Sequence, residues 1–118
     1  MSVESQLAVL DRSIALSRVG GDEELLREMA GLFLEEYPSA LAEVRKAVAA
    51  RNPKAVERAA HSLKGAVGNF GAEAAYRAAF ELELLGRGGD LSKVDLHYSK
   101  LEGALRDLLP HMEQLSVE

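Results

Sequence analysis

The sequence contains no cysteine and no tryptophan among its 118 residues. The absence of cysteine excludes disulfides, thiolate metal ligands and cysteine nucleophiles, and it fits a reducing compartment. Aromatic residues make up only 5% of the chain, so the core has to be built mainly from Leu, Val and Ala. The sequence also lacks an apolar run of membrane-spanning length and an N-terminal signal pattern. We therefore expect a cytoplasmic domain without membrane contact.

Positive charge is also scarce. The chain has 14 Lys and Arg against 19 Asp and Glu, a net charge of −5. A protein that binds nucleic acid through its phosphates normally presents a basic face, so nucleic acid is not an expected partner. The length and the hydrophobic fraction of 47% predict one folded domain over residues 1–118.

Capping residues and glycines divide the chain into helical segments. Asp11 is placed to cap a short helix through Leu16, and Gly20-Gly21 ends it. Asp22 is placed as the next N-cap, and Asn52-Pro53 is a clear helix start. The pattern predicts a bend or break at Pro38, with a new cap at Ser39. It then predicts a helix from Pro53 to about Phe70, which Gly71 can close in a left-handed conformation. A helix over Ala72 to Leu85 and a loop from Gly86 to Asp90 follow.

The last segment has the cleanest helical periodicity. Its apolar residues alternate steps of four and three at Val94, Tyr98, Leu101, Leu105, Leu108, Met112 and Leu115. Pro110 should kink this helix or fray its end. No strand-like alternation bounded by hairpin turns is present, so we predict an all-α fold: an antiparallel four-helix bundle with a short additional N-terminal helix.

His61 is the most informative residue because glycines stand beside it. On a helical wheel it lies about 150° from the centre of the apolar arc of its segment. Gly68 falls within about 20° and Gly65 within about 40° of the direction of His61, with Lys64 about 60° to one side. Each interior glycine costs a helix about 1 kcal/mol relative to alanine. The pattern therefore indicates a strip of backbone without side chains, which a partner molecule can approach closely.

This arrangement suits a histidine that accepts a phosphoryl group from a docked protein. An imidazole in water titrates near pH 6.5 and is mostly neutral in the cytoplasm, and the neutral ring is a nucleophile. A neighbouring lysine can neutralise an arriving anion. The simpler interpretation is that His61 is only a surface histidine, and the glycines are the evidence against it.

Other polar groups have simpler interpretations. His61, His97 and His111 lie on different segments or lack the spacing of metal ligands, so no metal site is expected. His97 and His111 are interpreted as solvated residues of the last helix. The acidic groups are likewise interpreted as solvated side chains on polar faces or in first turns: Asp22 to Glu24, Glu35, Glu36, Glu81 and Glu83.

The run His61-Ser62-Leu63-Lys64-Gly65, followed by Gly68 and Gly71-Ala72, resembles the core motif of histidine-containing phosphotransfer (HPt) domains of bacterial two-component phosphorelays. Further segments extend the resemblance over about residues 10–109. They are Val19 to Asp22 with Leu25-Leu26, Phe33, Pro38, and Leu82-Glu83 followed by Arg87 and Gly89-Asp90. No family pattern covers the tail after Pro110.

The resemblance implies a phosphocarrier without kinase activity of its own, and a free bundle of this kind can work as a monomer. His61 would accept a phosphoryl group at Nε2 from an aspartyl phosphate on a response-regulator receiver domain and pass it to an aspartate on another receiver. Lys64 would lie near the phosphoryl oxygens, and Gly65 and Gly68 would admit the receiver's loops. The chain would need no cofactor, because Mg²⁺ would come with the receiver.

Two other functions are compatible with the same residues. One is a docking module that binds receivers without using phosphate, and the other is the phosphoacceptor domain of a chemotaxis-type kinase. The start at Met1 fits a free-standing protein, and the excised end of a hybrid histidine kinase, which would act in cis or in trans, fits equally well.

Overall fold

The computed structural model describes residues 7–118, which form five helices and no strand. The predicted domain start at residue 1 lies outside these residues. In chain order the helices are α1 (Arg12–Arg18), α2 (Glu23–Ala49), α3 (Pro53–Gly68), α4 (Glu73–Gly88) and α5 (Val94–Val117). None of them is long and apolar enough to cross a membrane.

Helices α2 to α5 form the predicted four-helix bundle. Each packs against two others, in the closed order α2, α3, α4, α5 and back to α2, and short connections make sequential helices antiparallel. The core between them is almost entirely aliphatic, with Leu63, Leu82, Leu101, Leu105, Leu108 and Met112 among the largest fully buried side chains. Helix α1 is the additional N-terminal helix and packs on α2.

The predicted helix starts are confirmed by their caps. The side chains of Asp11, Asp22 and Asn52 each accept a hydrogen bond from the backbone N–H three residues on, at 3.0–3.1 Å. Gly71 has the expected left-handed backbone, with φ of +62°. Any Cβ on Gly71 would also lie 2.7 Å from Cβ of Asp11, so this glycine additionally lets the start of α1 approach the α3–α4 turn.

The helix break considered at Pro38, with a new cap at Ser39, and the frayed helix end considered at Pro110 are wrong, while a bend at Pro38 and a kink at Pro110 stay predictions. Helix α2 runs through Pro38 without ending, and Ser39 lies within it rather than at a cap. Helix α5 runs through Pro110 to Val117, and Met112 and Leu115 beyond the proline are buried. The lost hydrogen bond of an interior proline costs about 3 kcal/mol, which the long packed faces on both sides of each proline offset.

The predicted loop from Gly86 to Asp90 is also wrong in its first half, because α4 continues to Gly88 and ends at the left-handed Gly89. Gly86 is buried where α4 meets the first turn of α3. A Cβ at this position would lie 2.5 Å from the backbone N of Glu57 and 2.6 Å from the carbonyl O of Pro53. Gly86 is therefore a contact point between two helix backbones.

We predict that Gly86→Ala destabilises the domain by about 1–3 kcal/mol, since the added methyl has no space and the obstructing atoms belong to the backbone. Urea unfolding followed by circular dichroism measures the change. The matched control is Gly103→Ala on α5, where a Cβ meets nothing within 4 Å and the free energy of unfolding should rise by up to about 1 kcal/mol. Equal effects of the two substitutions would contradict the assigned contact.

Candidate functional site

His61 lies in the middle of α3 and points away from the core. Its side chain is 66% exposed, whereas Val56, Ala60, Leu63 and Val67 of the same helix are buried. The outward direction predicted from the helical wheel is confirmed. An imidazole at this position is accessible to another protein.

One nitrogen of the ring is nevertheless engaged with the neighbouring helix. Nδ1 of His61 lies 3.0 Å from Oε2 of Glu83 on α4. Because an ionised carboxylate can only accept, the proton of a neutral ring in this contact is on Nδ1, which donates to Oε2. The lone pair of the neutral ring then lies on Nε2, for which residues 7–118 provide no partner.

Glu83 is the only buried charged residue in the described part of the chain, with 3% of its surface exposed. Burial raises the pKa of Glu83, but the hydrogen bonds and charges of Lys64 and His61 outweigh burial and hold the pKa below its ordinary value. Glu83 is therefore a carboxylate at neutral pH. Its lowered pKa contributes stability above the ordinary glutamate pKa, and this contribution is lost as the pH falls through the lowered value.

The expectation that Glu83 is a solvated surface carboxylate is wrong. Its neighbours one turn away on α4, Ala79 and Gly86, and the adjacent Leu82 are all buried, which places Glu83 on the packed face of the helix. The signal in the sequence was an acidic residue on an apolar helical stripe. A carboxylate held there needs partners, and it has three: His61, Lys64 and Arg87.

Lys64 reaches the same carboxylate from the other side. Its Nζ lies 2.7 Å from Oε1 of Glu83, and 4.9 Å and 5.8 Å from the ring centroids of Phe80 and Tyr76. Only 16% of the side chain is exposed. The ammonium is therefore held between a carboxylate and two aromatic faces, beside His61 as the wheel predicted.

The two glycines next to His61 have different surroundings. Gly65 is exposed, and a Cβ there would meet nothing within 4 Å. At Gly68 a Cβ would lie 3.2 Å from Cδ2 of Tyr76, so the ring of α4 already covers that stretch of backbone. Gly65 alone leaves open space beside the imidazole, while the predicted docking role of Gly68 stays a prediction.

The other two histidines lie on α5, away from α3. His111 is exposed as expected. The expectation for His97 is wrong, because its side chain is only 19% exposed and its Nδ1 lies 3.0 Å from Oε2 of Glu81 on α4. This contact joins α4 to α5 and lies apart from the His61 network.

A family model described as the Hpt domain matches residues 28–115. This match includes α3, α4, His61 and all three partners of Glu83. The chain belongs to the Hpt domain family. Comparison with curated proteins and with solved structures found no match.

Membership defines the general class of function. Hpt domains are histidine-containing phosphotransfer modules of two-component phosphorelays, and they carry phosphoryl groups without intrinsic kinase activity. They interact with receiver domains. The all-α bundle of this Hpt domain agrees with that assignment.

Proposed function

We propose that this Hpt domain is a phosphorelay carrier in which His61 accepts a phosphoryl group from the aspartyl phosphate of one receiver domain and passes it to an aspartate of another. The observation that carries the proposal is the contact between Nδ1 of His61 and the buried Glu83. This contact leaves an unprotonated Nε2 on an exposed ring that needs no separate base.

The transfer forms one bond and breaks one. The Nε2 lone pair of His61 attacks phosphorus, the P–O bond to the receiver's aspartate breaks, and that aspartate leaves as a carboxylate. Nδ1 keeps its proton, so the phosphorylated ring gains positive charge, which the carboxylate of Glu83 balances at 3.0 Å. Transfer to the second receiver reverses these steps. Phosphoryl transfer depends mainly on positioning and charge, and these are what the site supplies.

Lys64 neutralises charge on the incoming phosphoryl oxygens in this proposal. An ammonium has three N–H donors, and its contact with Oε1 of Glu83 is an ion pair at 2.7 Å that leaves donors available. These donors can hydrogen-bond to an anion that arrives beside the rings of Tyr76 and Phe80. Mg²⁺ would come with the receiver domain and would help to neutralise charge on the phosphoryl group.

Label transfer tests the proposal. Receiver domains charged with a small acyl phosphate are incubated with this Hpt domain, and the label is mapped by mass spectrometry under conditions that preserve phosphohistidine. We expect acid-labile, base-stable label on His61. Label on a different residue contradicts the assigned site. Receiver binding without any label, across a panel of receivers, would instead identify a docking module.

We predict that Gly65→Leu slows phosphoryl uptake without weakening the fold. Leucine fits the open space and should raise the free energy of unfolding by up to about 1 kcal/mol, but its side chain stands one turn from the imidazole, where a receiver has to approach. Initial rates of uptake measure the effect, which we expect to be about tenfold or larger, as for other misplacements near a reacting centre.

The matched control is Gly103→Leu on α5, where a Cβ also meets nothing within 4 Å. The control should transfer phosphate at the rate of the unchanged protein. Unimpaired uptake by Gly65→Leu would show that a receiver does not need the space at Gly65.

A further inference from the structure

Arg87, in the last turn of α4, connects two carboxylates on two helices. Its Nη2 donates to Oε2 of Glu83 at 2.8 Å, and its Nε donates to Oε2 of Glu57 on α3 at 3.0 Å. Glu57 is one turn before His61 on α3, just as Glu83 is one turn before Arg87 on α4. The guanidinium therefore ties Glu83 to the helix that carries His61.

The same oxygen of Glu83 accepts from Arg87 and from His61. Oε2 lies 2.8 Å from Nη2 of Arg87 and 3.0 Å from Nδ1 of His61, while Oε1 faces Nζ of Lys64. A carboxylate oxygen has two lone pairs, so these two donors occupy Oε2 fully. The orientation of the carboxylate is thus determined by one cation on each oxygen.

Stability alone is a poor explanation for Arg87. Its side chain is 56% exposed, so water reaches the guanidinium even though its partner Glu83 is only 3% exposed, and ion pairs that water screens contribute little to folding. Its geometry is more specific, since a planar guanidinium holds its donors in a fixed fork. With Nε on Glu57, Nη2 is directed at the oxygen that His61 uses.

We propose that Arg87 is a positioning residue for phosphotransfer, which keeps Oε2 of Glu83 against Nδ1 of His61 and thereby keeps Nε2 free of a proton. The inference rests on the proposed function of His61 as the phosphoacceptor. Without Arg87, the carboxylate still has Lys64 and can turn towards it. The bond to Nδ1 then weakens, and the ring populates the tautomer with the proton on Nε2, which has no lone pair for the attack.

The first test is made on the unphosphorylated protein and does not depend on transfer. Nitrogen-15 NMR of the His61 ring, at alkaline pH where imidazole is neutral, distinguishes the two tautomers. We expect a protonated Nδ1 and a bare Nε2 in the unchanged protein, and ring signals that move towards each other in Arg87→Ala. Arg87→Lys should restore part of the difference. Arg106→Ala, which removes the same charge from α5, should leave the signals in place.

The second test determines whether Arg87 acts on phosphoryl uptake through Glu83. Arg87→Ala should slow phosphoryl uptake about two- to fivefold, the change in rate that corresponds to the loss of one ion pair that water partly screens. In a Glu83→Gln background the same substitution should have no further effect, because Arg87 acts through that carboxylate.

Three results would overturn the inference: ring signals unchanged by Arg87→Ala, a rate unchanged by it, or equal slowing with and without Glu83. The last would indicate that Arg87 contacts the receiver or the phosphoryl group directly. If no receiver labels the protein at all, the proposed function fails, but the ring signals still report whether Arg87 orients the pair.

Discussion

His61→Gln is expected to abolish phosphoryl uptake from every receiver that labels the unchanged protein. A glutamine amide nitrogen has no available lone pair, so no phosphoramidate can form at this position. The fold should survive, because the side chain is 66% exposed and the glutamine amide has N–H donors that can replace Nδ1 as a partner of Glu83. Retained label after incubation with charged receivers, measured beside unfolding curves, checks both parts.

The chain offers two matched controls for this substitution. His97→Gln and His111→Gln make the same change on α5, at one partly buried and one exposed position, and both should keep normal uptake. If His61→Gln retained label while His97→Gln lost it, the phosphoacceptor would be on the other side of α4 and the assignment to His61 would be wrong.

The features that could be predicted from the sequence depend on short-range geometry. Caps at Asp11, Asp22 and Asn52 act on the backbone N–H three residues on, so the local sequence is enough to recognise them. The outward direction of His61 follows from helical periodicity over a few turns. The open space at Gly65 follows from the same wheel.

The features that could not be predicted depend on which helix lies opposite. In the sequence Gly86 resembles a loop glycine. Its role depends on α3, because a Cβ on Gly86 would lie 2.5 Å from the backbone N of Glu57. Gly68 resembles open backbone until the ring of Tyr76 is placed on it. Local sequence contains no information about these distances, which arise from pairs of helices that pack only in the folded chain.

The prolines failed as stop signals for a related reason. Proline disfavours the helix by a local cost of about 3 kcal/mol, but Pro38 lies between the buried Phe33 and Val44 of one continuous helix. Burial of apolar side chains on both sides contributes more than that local cost. Local propensity predicts a boundary correctly only where tertiary packing does not act against it.

Glu83→Gln is expected to slow phosphoryl uptake about 10- to 100-fold, by analogy with the loss caused when a carboxylate that orients a metal-ligating histidine is removed. The amide keeps the shape of the side chain but has no charge to balance the positive ring that forms during transfer. It also leaves Lys64 and Arg87 without their shared anion. Initial rates of uptake measure the loss, and circular dichroism confirms that the variant is folded.

The same helix supplies a stringent control. Glu81→Gln removes a carboxylate two residues earlier on α4 that also holds a histidine at 3.0 Å, His97. Charge, helix and the 3.0 Å contact with a histidine are matched. The two carboxylates differ in which histidine they hold and in burial, since Glu81 is 28% exposed and Glu83 only 3%. If Glu83 acts by orienting His61 and balancing its charge, Glu81→Gln should leave phosphoryl uptake unchanged while Glu83→Gln impairs it. Equal losses would attribute both effects to the packing of α4, and the orienting role of Glu83 would then have to be abandoned.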